Sequence, residues 1–209
     1  LCGERALDSL TEGVETRRLL DQVWNNGGVD GCLEEGQWHF AMRTVQIDYD
    51  PSVAPDFGYP RAFTKPTDWI LTSSICSDEF FTEPVLRYAD ESGFWYADLD
   101  IIYVRYVSND AGYGGDLSVW PDSFTKFVAA DFASRIISKI SHAQPEIIKM
   151  FVNPEQPNHS IRGRALLKAR NRAAMTSPTE FLVRGAWVRA RTGGGGTGYD
   201  GGNTGTLIG

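Results

Sequence analysis

Apolar positions at Leu19, Leu20, Val23 and Trp24 recur at helical spacing and predict a helix from Val14 to about Asn26. Gly27-Gly28 weakens or breaks it, and Val29 to Glu35 extends it by a further turn or two. Gly36-Gln37-Trp38-His39-Phe40 then turns the chain into an extended stretch, Arg43 to Tyr49. Prolines at 51, 55, 60 and 66 predict loops and edge strands next. Trp69–Ile75, Val85–Ala89, Phe94–Ala97 and Leu99–Val107 are short, aromatic or β-branched runs that read as strands. Helical periodicity returns after Trp120-Pro121-Asp122-Ser123: Phe124, Phe127, Val128, Phe132, Ile136, Ile137 and Ile140 line one face, with Asp122 or Ser123 as N-cap. A short apolar piece, Ile147–Val152, a Pro/Asn loop and a basic helix from about His159 to Met175 complete the pattern.

Helix, strands, then helices predicts an α+β fold: a helical bundle with an inserted small antiparallel β domain and an extended C-terminal arm. The expected boundaries are 1–43 with 117–175 for the bundle, 44–116 for the insertion, 176–192 for the arm and 193–209 for a flexible Gly-rich tail. Nine of the seventeen residues from Gly193 to Gly209 are glycine, without the strand and helix that flank a phosphate loop. The chain opens at Leu1 without methionine, and Leu1-Cys2-Gly3-Glu4 reads as a helix ending at glycine, so residues upstream are expected.

With 209 residues, 42% of them hydrophobic, the chain can bury a real core. Its 20 basic and 27 acidic residues leave a net charge of −7, which excludes a surface that is cationic throughout and grips nucleic acid non-specifically. The charge is uneven. Residues 161–191 hold eight basic side chains and one acid, whereas residues 78–122 hold ten acids and two arginines. Cys2, Cys32 and Cys76 are too few and too scattered for a disulfide framework or a zinc site and read as small buried hydrophobes. No run is long and apolar enough to span a bilayer, and no signal-peptide pattern occurs.

Catalytic chemistry has little support. His39, His142 and His159 lie in unrelated contexts, no G-x-S-x-G elbow occurs, and Gly112-Tyr113-Gly114-Gly115 lacks the lysine of a P-loop. Asp98-Leu99-Asp100 is the one suggestive pair. In a strand both carboxylates share a face about 6.5–7 Å apart, at the lower edge of the roughly 6.5–9.5 Å of inverting glycosidases. The simpler reading points both into water to guard a sheet edge. The aromatic residues nearby read first as core and inter-subunit packing, and second as stacking platforms. No catalytic residue, metal ligand or cofactor is assigned.

The basic segment has three readings: a solvated helix face, a phosphate-contacting surface, or a surface that docks onto acidic protein. Arginine outnumbers lysine seven to one there, which favours planar pairing at an interface. Candidate interface residues are Arg162, Arg164, Lys168, Arg170 and Arg172, with Arg184, Arg189 and Arg191 flanking an aromatic anchor, Trp187.

Several short segments resemble one known family in order and spacing. They are Leu1-Cys2-Gly3-Glu4 with Ser9-Leu10, Gly36-Gln37-Trp38-His39-Phe40-Ala41, Phe63-x-x-Pro66-x-Asp68-Trp69, Tyr103-Val104-Arg105-Tyr106-Val107-Ser108, Trp120-Pro121-x-x-Phe124 and Trp187-Val188-Arg189-Ala190-Arg191. Over Leu1 to about Arg191 the chain resembles tail tubular protein A, the head–tail adaptor of T7-like short-tailed bacteriophages. The loop at 153–160 and the Gly-rich tail fall outside that pattern.

The resemblance implies a structural virion protein, assembled in the host cytoplasm, that acts at the head–tail junction. It implies a ring, expected to be dodecameric, between the portal protein and the tail nozzle protein, with double-stranded DNA passing through its centre and no membrane partner. It also implies that no residue is catalytic. The charge fits: a cationic channel would hold a duplex carrying one negative charge per about 1.7 Å, whereas an acidic wall lets it slide. A second function class stays open, a carbohydrate-binding or polysaccharide-hydrolysing tail module at the host surface. Asp98 and Asp100 would be its carboxylates, and Trp95 and Tyr96 its stacking platform. A third, weaker reading is a head-completion protein below another type of portal.

Overall fold

A computed structural model of the chain describes residues 13–55, 58–140 and 145–176, all within one unit, Leu1–Ser177. The fold is mixed α+β, with five α-helices and two three-stranded antiparallel sheets among the described residues.

Helix α1 (Glu15–Asn25) carries Glu15 in its first turn, where the helix dipole favours an acid, and an Arg17–Asp21 pair at 3.0 Å. It buries Leu19. Gly27 then takes φ 72°, a left-handed conformation suited to glycine, and α2 (Gly28–Glu34) begins at once. A Cβ on Gly28 would lie 2.5 Å from the Val23 carbonyl oxygen and 2.9 Å from the Phe132 ring, so the α1–α2 corner closes onto the core only without a side chain. Trp38 is 1% exposed, and its indole N–H donates to the carbonyls of Leu33 (3.0 Å) and Cys32 (3.2 Å) at the end of α2.

Strands β1 (Met42–Asp48), β3 (Trp69–Cys76) and β6 (Ile101–Ser108) form the first sheet in the order β1-β6-β3. Strands β2 (Arg61–Thr64), β4 (Ala89–Glu91) and β5 (Phe94–Ala97) form the second in the order β2-β5-β4. Alternation along β6 sends Ile102, Val104 and Tyr106 into a core with Phe63, Ile75 and Trp95, which joins the two sheets. The opposite face of β6 delivers Val107 to the helical core, where Met42, Ile70 and Leu71 also pack. One strand thus serves both cores.

Arg61–Thr64, between Pro60 and Pro66, forms an edge strand, as those prolines predict, since at a sheet edge they cost no ladder bond. The strand pattern departs from expectation in two places. Val85–Ala89 is not a strand. Pro84, which has no N–H to donate, makes only an isolated bridge to Cys76, and β4 starts at Ala89. Asp98-Leu99-Asp100 lies in the bend before β6, which starts at Ile101.

Helix α3 (Asp122–Ile140) buries Phe124, Phe127, Val128, Phe132, Ile136 and Ile137, as its periodicity predicts. Asp122 is its first residue and pairs with Lys126 at 2.6 Å. Helix α4 (Pro145–Phe151) uses proline at its first position and packs Ile147, Ile148 and Phe151 on Ala133 and Ile137. Helix α5 (Ile161–Thr176) starts where the Ser160 hydroxyl accepts from the Gly163 N–H at 3.0 Å, a side-chain N-cap. Gly163 is crowded: a Cβ there would sit 1.9 Å from the Pro157 carbonyl oxygen.

Candidate interaction surface

The basic helix α5 divides into two sets of cations. Arg162 and Arg170, expected to face a neighbouring protein, each pair with carboxylates of their own chain. Arg162 donates through Nε to Asp131 at 2.6 Å and through an Nη to Glu35 at 2.7 Å. Arg170 reaches the same Glu35 carboxylate at 2.9 Å and also its backbone carbonyl, at 2.8 Å through Nε. Asp131, 2% exposed on α3, takes Arg135 as well, at 2.7 Å. Burial pulls the Arg162 pKa down, but its hydrogen bonds to Asp131 and Glu35 outweigh this, so it rises above its ordinary value. This ladder ties α5 to α2 and α3 because a carboxylate as buried as Asp131 must be paired.

Arg164, Lys168 and Arg172 form the other set. They are exposed, four residues apart, and so stand in one stripe along the solvent face of α5. Among the described residues none of the three has an ion-pair partner within 4.0 Å. Leu167, 40% exposed, and Met175, 78% exposed, belong to the same helix. Arg184, Trp187, Arg189 and Arg191, the remaining interface candidates, lie outside the described residues.

An open hollow adjoins the stripe. Trp38, Phe40 and Phe124 form an aromatic cluster, with Phe124 4.8 Å from each of the other two rings. With Ala169 and Ala173 they line a cavity of about 250 Å³, and Arg172 and Thr176 stand at its rim.

The strand-bearing part exposes the opposite charge. Asp48, Glu79, Glu83, Glu91 and Asp98 all face solvent from strand ends and turns. The β3–β4 connection is the most elaborated of these turns. Asp78 accepts from the backbone N–H of Thr82 (3.0 Å) and Glu83 (2.8 Å) and from the Thr82 hydroxyl (2.7 Å), and these bonds hold its carboxyl below the usual range. Ser77 N–H donates to Glu83 and Val85 N–H to Ile75, which close the turn at its base. Phe81 takes φ 57°, a left-handed conformation costing about 1–3 kcal/mol for a bulky residue, with the Arg105 guanidinium 4.5 Å from its ring centre. Next to it Phe80 projects outward, 77% exposed, and Leu86 in the same connection is 87% exposed.

The carbohydrate constellation does not assemble. Trp95 is fully buried, and its indole N–H donates to Thr72 at 3.0 Å, so it offers no face to a sugar. Tyr96 is half-buried. Asp100 is bound by Arg61 at 2.6 Å, while Asp98 stands exposed in the bend, so neither carboxylate has the buried setting of a proton donor. Among the described residues no group of three or more His, Cys, Asp or Glu side chains could hold a metal ion. Burial, followed by the charge of Asp131, pushes the Cys32 thiol up to about 12, as suits a packing residue. No helix among the described residues is long and apolar enough to cross a membrane.

Four of the short segments that carry the resemblance lie among the described residues, and they meet in two pairs; residues 1–10 and 187–191 lie outside the described residues. Asp68 accepts from Arg43 (2.8 Å), the Tyr106 hydroxyl (3.1 Å) and the Ser108 hydroxyl (2.5 Å), joining the Phe63–Trp69 segment to the Tyr103–Ser108 segment. Phe124 packs against Trp120 at 5.0 Å as well as Trp38, joining two more. These residues are placed by packing and part-buried hydrogen bonds. No protein-family model matches the chain, and no curated protein matches it.

Proposed function

We propose that the protein is a structural head–tail adaptor of a bacteriophage virion. Its copies form a dodecameric ring between the portal protein and the tail nozzle protein, and double-stranded DNA passes through the ring without sequence-specific contact. In this reading the described helices belong to a bundle (1–43 and 117–175), residues 44–116 are its inserted β domain, and 176–192 is a docking arm. No residue is catalytic. The observation that carries the reading is the separation of charge on one chain. Arg164, Lys168 and Arg172 stand exposed on α5, while Asp48, Glu79, Glu83, Glu91 and Asp98 stand on the strand-bearing part. Two unlike surfaces on one protomer make a head-to-tail contact, which closes into a ring when the rotation between copies allows. The net charge of −7 per copy suits a wall past which DNA slides.

Charge reversal of Arg164, Lys168 and Arg172 together to glutamate tests the reading. The fold should survive, because all three are exposed, and ring formation should be lost. Wild-type assembly should also weaken as salt rises. Alanine at Arg184, Arg189 and Arg191 tests the arm in the same way; normal docking by that variant removes the arm from the account.

A further inference from the structure

We propose that Phe80 of one copy docks into the hollow bordered by Phe40 and Ala173, over a buried floor of Trp38 and Phe124, of the next. This contact rests on the ring reading in requiring a second copy of the chain, and it specifies which surfaces meet.

The two halves match in shape. Phe80 is held out by a turn that Asp78 closes with three hydrogen bonds, beside the left-handed Phe81. Scattered exposed apolar side chains are ordinary, but one fixed on a strained, internally bonded turn is preorganised, so ordering it on binding costs little. The hollow is lined by Trp38, Phe40, Phe124, Ala169 and Ala173, and its volume of about 250 Å³ exceeds the roughly 150 Å³ that suffices for a benzene ring. An aromatic anchor entering a desolvated pocket is the usual centre of a protein interface.

The halves also match in charge. Glu79 and Glu83 are exposed on either side of Phe80, whereas Arg172 stands at the rim of the hollow with Lys168 one turn away. Asp122, beside the rim residues Pro121 and Ser123, is neutralised by Lys126 at 2.6 Å. Acidic flanks around the ring thus meet a cationic rim, which orients the encounter and opposes the reverse pairing. Projection and hollow lie on different elements of the same protomer, so the contact is heterologous and propagates from copy to copy.

Sedimentation of the full chain, with electron microscopy of the same samples, tests the contact. Phe80→Ala should weaken self-association about 30-fold or more while leaving thermal unfolding unchanged. Glu79→Arg and Arg172→Glu should each weaken it, and the double variant should recover it. A mixture of Phe80→Ala and Arg172→Glu copies should stop at dimers, since each such pair has one intact projection facing one intact hollow. Wild-type open chains that depend on Phe80 support the contact and refute the closed ring. Rings that form equally well with Phe80→Ala and Arg172→Glu overturn the contact and leave the ring reading standing. A wild-type chain that stays monomeric at high concentration overturns the contact, and failure to form rings on the portal overturns the ring reading separately. If Phe80→Ala self-associates normally but loses another virion protein, that protein is what Phe80 engages and the proposal fails.

Discussion

Arg162 Nε meets Asp131 Oδ1 at 2.6 Å across the α3–α5 contact, which ties the first arginine of a basic surface helix to a buried carboxylate. Asp131 is 2% exposed and holds both Arg162 and Arg135, so it is stranded only if both are removed, whereas without Asp131 Arg162 keeps Glu35 and Arg135 keeps solvent. Asp131→Ala should cost about 1–3 kcal/mol in urea unfolding through its lost charge-assisted hydrogen bonds, and Asp131→Asn, which keeps one acceptor, should cost less. An Asp131→Ala variant as stable as the wild type would show that the ladder does not hold α5.

Asp68 makes stability depend on pH in a definite direction. Burial raises its pKa, but hydrogen bonds from Ser108, Arg43 and Tyr106 lower it further, to a net value below the ordinary one. A carboxyl whose folded pKa is depressed adds stability above its unfolded pKa of about 3.9, and that stability is lost as pH falls through the folded pKa. Asp68→Asn should therefore unfold more easily than wild type at pH 7, by about 1–3 kcal/mol. The gap should narrow as pH falls below about 4. A gap independent of pH would mean that shape alone, and not charge, fixes this position.

Gly163 tests the N-terminus of α5. The Ser160 cap brings the Pro157 carbonyl so close that an added methyl would lie 1.9 Å from it. Gly163→Ala should cost about 3 kcal/mol or more, at the upper end of overpacking penalties. Gly13, where an added Cβ would meet nothing within 4 Å, is the control, and Gly13→Ala should stay within about 0.5 kcal/mol of wild type. Equal effects in thermal melts would contradict the crowding argument.

Cys32 should be inert in the folded protein. It is fully buried, its thiol pKa is pushed up to about 12, and at pH 8 almost none of it is thiolate. Iodoacetamide at pH 8 should leave Cys32 unmodified by mass spectrometry until denaturant is added. Rapid labelling under native conditions would mean that α2 opens readily.

Elements with a strong internal period were legible in the sequence. The apolar face of α3 follows from spacing alone, and six of its seven residues are buried; in β6 the spacing marks a strand, but Ile102, Val104 and Tyr106 face the core while Ile101 is exposed. Short strands were less so: the prolines announce loops and edge strands without marking Arg61–Thr64 itself, and Val85–Ala89 reads as a strand although Pro84 ends the ladder. The fate of the arginines was the hardest to read. Glu35 lies 127 residues before Arg162, so only the tertiary fold brings them together. One signal was available: Asp131 falls within the apolar stripe of α3, and a carboxylate there needs a cation from another element. The sequence located the basic surface on α5, and the fold reduced its described free part to Arg164, Lys168 and Arg172.

The central claim is assembly into a ring on a portal, and electron-microscope class averages of the full chain, alone and mixed with its portal, test it most directly. The account predicts rings of about twelve units seated on the portal face, lost when Arg164, Lys168 and Arg172 carry negative charge. A chain that remains monomeric and ignores the portal would contradict it.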